Sequence, residues 1–272
     1  MGGAGDAGRA VTILIYQIDA FAEEVFQGNP AAVCPLRDWL ADERMQAIAA
    51  ENNLSETAFF VPGMEPGDYD LRWFTPAAEV DLCGHATLAS AHLILSRLAP
   101  ERDAVRFSTL SGILEVCRDG DRLAMDLPAR PPGSYDPAPG LFEALGVEPE
   151  VMLASQRDAM AVYGDEATVR GLAPDIRALA AIDRRGIIVT APGDDCDFVS
   201  RFFAPAIGID EDPVTGSAHC TLIPYWADRL GKTELHARQV SARGGDLYCR
   251  AMDERVRIAG RARLYLEGTL AL

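Results

Sequence analysis

An internal repeat constrains the fold of this chain more than any other feature. Arg72-Trp73-Phe74-Thr75-Pro76-Ala77 is matched by Arg201-Phe202-Phe203-Ala204-Pro205-Ala206, and beyond a loop of different length Gly84-His85-Ala86 is matched by Gly216-Ser217-Ala218. Both copies run on into helical stretches that end in Arg-Leu, at Arg97-Leu98 and Arg229-Leu230. Further on, Ser111-Gly112-Ile113-Leu114 parallels Gly244-Gly245-Asp246-Leu247, and upstream the unit ending at Val61-Pro62 parallels the one ending at Ala191-Pro192. A constant offset of about 130 residues means a duplicated supersecondary unit. The chain therefore looks like a duplicated α+β unit, with several strands and a buried central helix per copy. The Pro-rich run Pro128–Gly133 breaks all periodicity and is the natural linker. Two domains are expected, residues 11–127 and 134–272, with the last strand able to return to the first domain. Small molecules favour the cleft between such halves. At the position of Glu56 the second copy has Gly186, so only one half carries that carboxylate.

The local reading is consistent with this. Val11 to Asp19 and Ala31 to Cys34 read as strands around a turn at Gly28-Asn29-Pro30, and a helix capped by Asp38 runs to Asn52-Asn53. Glu56 to Val61 and Tyr69 to Phe74 are strand-like, and Thr87 to Leu98 is an apolar helical run that places Gly84 at a helix N-terminus. Strands follow at Val105 to Thr109, Ile113 to Arg118 and Arg122 to Asp126.

Composition excludes several functions. The formal net charge is −16, from 25 Lys plus Arg against 41 Asp plus Glu, and the average field of such a chain repels a phosphate backbone. No nucleic acid partner is expected. No run of 18 apolar residues occurs, Met1 to Ala10 lacks an apolar signal core, and that Gly-rich start reads as a flexible leader. The six cysteines form no CxxC pair, which points to reduced thiols and a cytoplasmic protein without a membrane partner.

Gly84 and Gly216, each leading a helix, expose unpaired N–H groups and the positive end of a dipole. Two such termini facing each other across a cleft would hold a carboxylate or an enolate-like oxygen. Small residues at a helix start are also ordinary caps, but their duplication in register favours a site. Glu56 opens a strongly apolar strand, where partial desolvation would suit it to acid/base work; an exposed carboxylate after a turn is the plainer alternative. His85 follows Gly84 and could bond a substrate, relay a proton or simply cap a helix. Of the acidic run Asp210-Glu211-Asp212, Asp212 is the one placed just before Thr215-Gly216-Ser217. Cys83, His85, His219 and Cys220 lack zinc-like spacing, so no metal is expected.

These residues carry a recognisable set of motifs: Asp19-Ala20-Phe21 with Gly28-Asn29-Pro30-Ala31-Ala32-Val33, Leu54-Ser55-Glu56-Thr57-Ala58-Phe59, Cys83-Gly84-His85-Ala86-Thr87-Leu88-Ala89, and Glu211-Asp212-Pro213-Val214-Thr215-Gly216-Ser217-Ala218. Together they resemble the phenazine-biosynthesis PhzF-like isomerase family, from about Tyr16 to the C-terminus. The resemblance implies a diaminopimelate-epimerase-like fold of two pseudo-symmetric domains, each a curved mixed sheet around a central helix, with the site between them. It also implies a homodimer without cofactor or metal. By the same resemblance Glu56 is the proton-moving glutamate, His85 and Asp212 orient or relay, and Gly84, Gly216 and Ser217 hold a small-molecule carboxylate substrate. Cys83 departs from the phenazine enzyme. It keeps open an epimerase, a racemase or a hydroxy-amino-acid dehydratase using Cys83 as base, although Cys83 corresponds to Thr215 in the repeat, which disfavours a two-thiol racemase. A non-catalytic metabolite-binding protein is the third reading.

Overall fold

The structure is a computed structural model that describes residues 12–65 and 68–272; the leader Met1 to Ala10 and Val11 lie outside the described residues. In the first half the strands are β1 (Thr12–Ala20), β2 (Asn29–Pro35), β3 (Glu56–Pro62), β4 (Asp68–Phe74), the two-residue β5 (Glu79–Val80), β6 (Ala104–Thr109), β7 (Gly112–Asp119) and β8 (Arg122–Pro128). The second half has the short β9 (Gly133–Ser134), β10 (Val151–Ala154), β11 (Asp158–Val162), β12 (Gly186–Pro192), β13 (Phe198–Phe203), β14 (Glu234–Gln239), β15 (Gly245–Met252), β16 (Arg255–Gly260) and β17 (Ala262–Ala271). Helices α1 (Asp42–Asn52) and α2 (Gly84–Leu93) belong to the first half. The second holds α3 (Leu141–Leu145), α4 (Glu166–Gly171), α5 (Ile176–Ala180) and α6 (Gly216–Leu230).

Strand pairing repeats as the sequence does. β1 is antiparallel to β2, β2 parallel to β3, β3 antiparallel to β4, β4 parallel to β6, and β6, β7 and β8 follow antiparallel. The series from β10 to β16 has the same senses in the same order. β8 pairs antiparallel with β16 and joins the two halves into one mixed sheet, with Asp126 and Arg257 opposite each other and paired at 2.7 Å. The second half also sends a strand to the first: β17 runs antiparallel to β1 from Ala271 opposite Thr12 to Ala262 opposite Ala20, while β9 stays beside β10. The Pro-rich connector is pinned as well, Ala129 N–H donating to Glu254 O and Arg130 N–H to Cys220 O.

α2 is buried nearly all round, from His85 through Ala91 and at Leu93, which explains why its sequence lacks a polar stripe. Past Leu93 it widens into a π turn over Ile94–Leu98, closed by Ala99 N–H to Ile94 O. α6 is the matching helix. Its Trp226 is fully buried, stacks on Phe198 at 5.6 Å between ring centres and donates to Thr190 Oγ1 at 3.0 Å, so the polar edge of a large core ring has its partner. Two local expectations are corrected. α1 starts at Asp42, with Ala41 rather than Asp38 at the N-cap, because Asp42 and Glu43 fill the first turn and Asp42 bonds Arg72 of β4 at 2.8 Å. β2 starts at Asn29, so Asn29 is a strand residue and the turn ends at Gly28.

Candidate active site

The N-termini of α2 and α6 meet. A methyl group built on Gly84 would lie 3.7 Å from Gly216 Cα, and one on Gly216 would lie 3.8 Å from Gly84 Cα. Neither helix has a side-chain cap: Cys83 and Thr215 occupy the N-cap positions without bonding back to the first turn. The first bonded amides are Thr87, to Cys83 O, and Ala218, to Thr215 O. Two sets of free N–H groups and two positive dipole ends therefore open on the same space. That space is a cavity of ≈ 310 Å³ bordered by Glu56, His85, Asp212 and Ser217, the residues singled out in the sequence. Its size is at the lower end for small-molecule sites.

Glu56 enters the cleft as the first residue of β3, paired beside Ala31 of β2, and is 9% exposed. Its Oε2 lies 3.1 Å from His85 Nε2, close enough for an ion pair but off the line of a hydrogen bond, and among the described residues it has no hydrogen-bond donor. Such an unpartnered buried carboxylate oxygen is costly unless a ligand or proton meets it. At the counterpart position any side chain would have to displace a buried ring. A Cβ on Gly186 would stand 2.2 Å from Phe202 Cζ and 3.1 Å from Asp158 Oδ1.

Asn29 holds the constellation together. Its Nδ2 donates to Asp212 Oδ1 at 2.7 Å and to Val214 O at 2.9 Å, and lies 3.2 Å from His85 Nδ1. An amide has two hydrogens, and the two oxygens take them. Asp212 also accepts from Thr215 Oγ1 at 2.5 Å, while Gln239 clamps the same turn through Thr215 N–H and Asp212 O. Glu211 turns away to Arg201. Sequence reasoning missed Asn29, Thr215 and Gln239 as site residues. For Asn29 the available signal is Gly28-Asn29-Pro30, whose composition is that of a turn although Asn29 opens β2.

Charge is arranged unevenly. Burial pushes the Asp212 carboxyl up to about 6, helped by the negative charge of Glu56 and opposed by His85. Burial pushes the His85 imidazole down, but its interactions with Cys83 and Glu56 outweigh it and hold His85 well above its ordinary value. The Cys83 thiol is itself pushed up to about 11 by burial and by Glu56. Ligand atoms of Glu56, Cys83 and His85 lie within 4.8 Å of one another, the one group among the described residues that could close on a metal ion. Burial of the thiol works against the thiolate such an ion takes. Cys220 and His219 stay apart from this group, with Cys220 Sγ against Gly216 O and His219 Nδ1 against Thr215 O.

Asp212 leaves a signature in stability. A carboxyl raised on folding stabilises the fold below its unfolded value of 3.8, and the contribution is lost as pH rises through about 6. A displacement of this size is worth about 3 kcal/mol at full effect. Asp212→Asn should therefore stabilise the fold relative to wild type at pH 7.5 by about 2 kcal/mol more than it does at pH 4. Denaturant unfolding at both pH values measures it; an equal difference at the two would show that burial of this charge costs nothing.

A family model described as "Phenazine biosynthesis-like protein" matches residues 18–268. An uncharacterized isomerase of Pseudomonas aeruginosa is 55% identical over 260 residues, covering 96% of this chain and 99% of that protein. A human phenazine biosynthesis-like domain-containing protein is 40% identical over 283 residues, covering 94% and 98%. Among solved structures, a phenazine biosynthesis protein of the PhzF family from Enterococcus faecalis superposes with a TM-score of 0.92 at 48% identity, covering 96% of this chain and all of the other. A hydroxyproline epimerase from Agrobacterium vitis shares the fold alone, at a TM-score of 0.62 and 10% identity. With its repeat, its paired helix termini and these relatives, the chain belongs to the phenazine biosynthesis-like PhzF family.

Proposed function

We propose that the protein is an isomerase that moves a proton between carbons of a small carboxylate-bearing molecule, with Glu56 as the acid/base. The observation that carries this reading is the unpartnered Glu56 Oε2 at 3.1 Å from His85, in a cleft faced by two uncapped helix N-termini. The substrate carboxylate sits on the amides led by Gly84 and Gly216, next to Ser217. Those dipoles stabilise the enolate-like charge that grows when Glu56 removes a proton from the neighbouring carbon. Glu56 then returns the proton to a second carbon. His85, held between Glu56, Asn29 and Cys83, sets the direction of the Glu56 carboxylate and receives or supplies its proton, while Asp212 fixes Asn29 and Thr215. No electron changes hands in such a shift, so its stoichiometry calls for no redox cofactor.

Cys83 is not the base in this reading. Its thiol stays neutral near pH 7, and its counterpart Thr215 is engaged with Asp212. Cys83→Ala should keep turnover within about tenfold of wild type; a loss as deep as that of a Glu56 variant would move the base to Cys83. The reading includes a homodimer and a cytoplasmic site of action. β17 pairs with β1 alone among the described strands and exposes Tyr265 and Leu266, and long edge strands with exposed apolar residues are normally covered. The cysteines are free, the form a reducing compartment keeps. Sedimentation equilibrium tests the dimer.

A further inference from the structure

The two halves of the cleft have diverged at matched positions. The register of β2 with β3 sets Ala31 beside Glu56, and that of β11 with β12 sets Asp158 beside Gly186. Where the first half has Ser55 and Glu56, the second thus has Arg185 and Gly186; where the first has Pro30, the second has Arg157. Both arginines border the same cavity as Glu56 and His85.

Their circumstances differ. Arg185 spans Asp158, at 3.1 Å and 3.3 Å, and reaches Ser217 Oγ at 3.4 Å, with its guanidinium 5.5 Å from the Phe202 ring centre. Arg157 is half-buried, yet among the described residues its guanidinium has no ion pair and no hydrogen bond. Its backbone is fixed by a tight turn in which Ser155 Oγ accepts from Arg157 N–H and Asp158 N–H. Burial and the charges of Arg185 and Arg130 disfavour its cation, and Asp81 and Asp158 offset this only in part. In a chain of net charge −16, a half-buried guanidinium that faces the cavity and finds no anion among the described residues calls for one from a ligand.

We infer that the substrate is a dianion: one carboxylate lies between the N-termini of α2 and α6, and a second anionic group, a carboxylate or phosphate, lies on Arg157 with Arg185 behind it. This rests on the carboxylate-binding reading above and names its substrate class. The first half then moves the proton while the second grips the far end of the molecule. Arg185 is committed to Asp158, so Arg157 is the residue that discriminates.

The test is calorimetric titration of the full chain with acids matched in length: succinate, glutarate and adipate against butyrate, valerate and hexanoate, with 3-phosphonopropionate to distinguish phosphate from carboxylate. Wild type should bind the best dianion at least about tenfold more tightly than its matched monoanion. Arg157→Gln should bring that ratio to about one by weakening the dianion alone, and Arg157→Lys should restore part of it. Equal binding of the matched pair by wild type, or equal weakening of both by Arg157→Gln, overturns the inference and leaves the carboxylate reading standing. If neither acid binds wild type, the carboxylate reading itself fails.

Discussion

Glu56→Gln should lower turnover by about a thousandfold while carboxylate binding stays nearly unchanged. The substitution keeps the size of the side chain and removes only its capacity to take and return a proton, a loss typically worth 10² to 10⁴ in rate for a positioned acid/base. Glu56 has no backup: Gly186 holds its place in the second half with no room for a Cβ, the Cys83 thiol is held neutral, and Asp212 is bonded to Asn29 and Thr215. The measurement is incorporation of solvent deuterium at carbon, followed by NMR, across small carboxylic acids with an acidic α-hydrogen or a β,γ double bond. Wild type should label at least one of them and Glu56→Gln none. Labelling by the variant within about tenfold of wild type would place the base elsewhere. Binding of acids without labelling by wild type would make the protein a metabolite binder.

The largest effect on stability is expected at Gly28. Its φ is +65°, and a Cβ there would lie 2.1 Å from Ala20 O, 3.0 Å from Ala20 C and 3.0 Å from Ala22 Cβ. The left-handed conformation alone costs a non-glycine residue about 1–2 kcal/mol, and the first two obstacles are backbone, which cannot rotate aside. Gly28 also ties the halves together: its N–H donates to Gly244 O at 2.6 Å, its carbonyl accepts from Arg243 Nε at 2.8 Å, and Arg243 reaches Asp19 at 2.9 Å. Gly28→Ala should thus cost about 3 kcal/mol or more and lower the melting temperature by about 10 °C. Because Asn29 is the next residue, binding should weaken too. Gly112→Ala is the control, since its φ is +93° but nothing lies within 4 Å of the added methyl; it should cost about 1 kcal/mol. Equal melting of the two variants would show that the clash at Gly28 relaxes.

Much of the site was legible because it is encoded locally. A Gly at the head of an apolar helical run announces an open N-terminus within a few residues, and its recurrence at a fixed offset announces a partner terminus. Glu56 stood out by the same logic, as a carboxylate opening an apolar strand whose repeat counterpart is Gly186. The α1 boundary was misplaced because Asp38, Asp42 and Glu43 all suit a helix start and a contact with Arg72, far along the chain, bears on the choice.

The sequence by itself determined the duplication, the α+β class, the two helix termini and the carboxylate that one copy alone carries, since periodicity and glycine placement act over a few residues and repeat where the unit repeats. Only the tertiary structure decided that Asn29 is the hub of the candidate site, that Cys83 is a buried thiol, and that Arg157 faces the cavity without an anion among the described residues. Those are contacts between distant parts of the chain: Asn29 and Asp212 are 183 positions apart. Their energies come from desolvation and from hydrogen-bond partners that exist only once the halves have closed on each other.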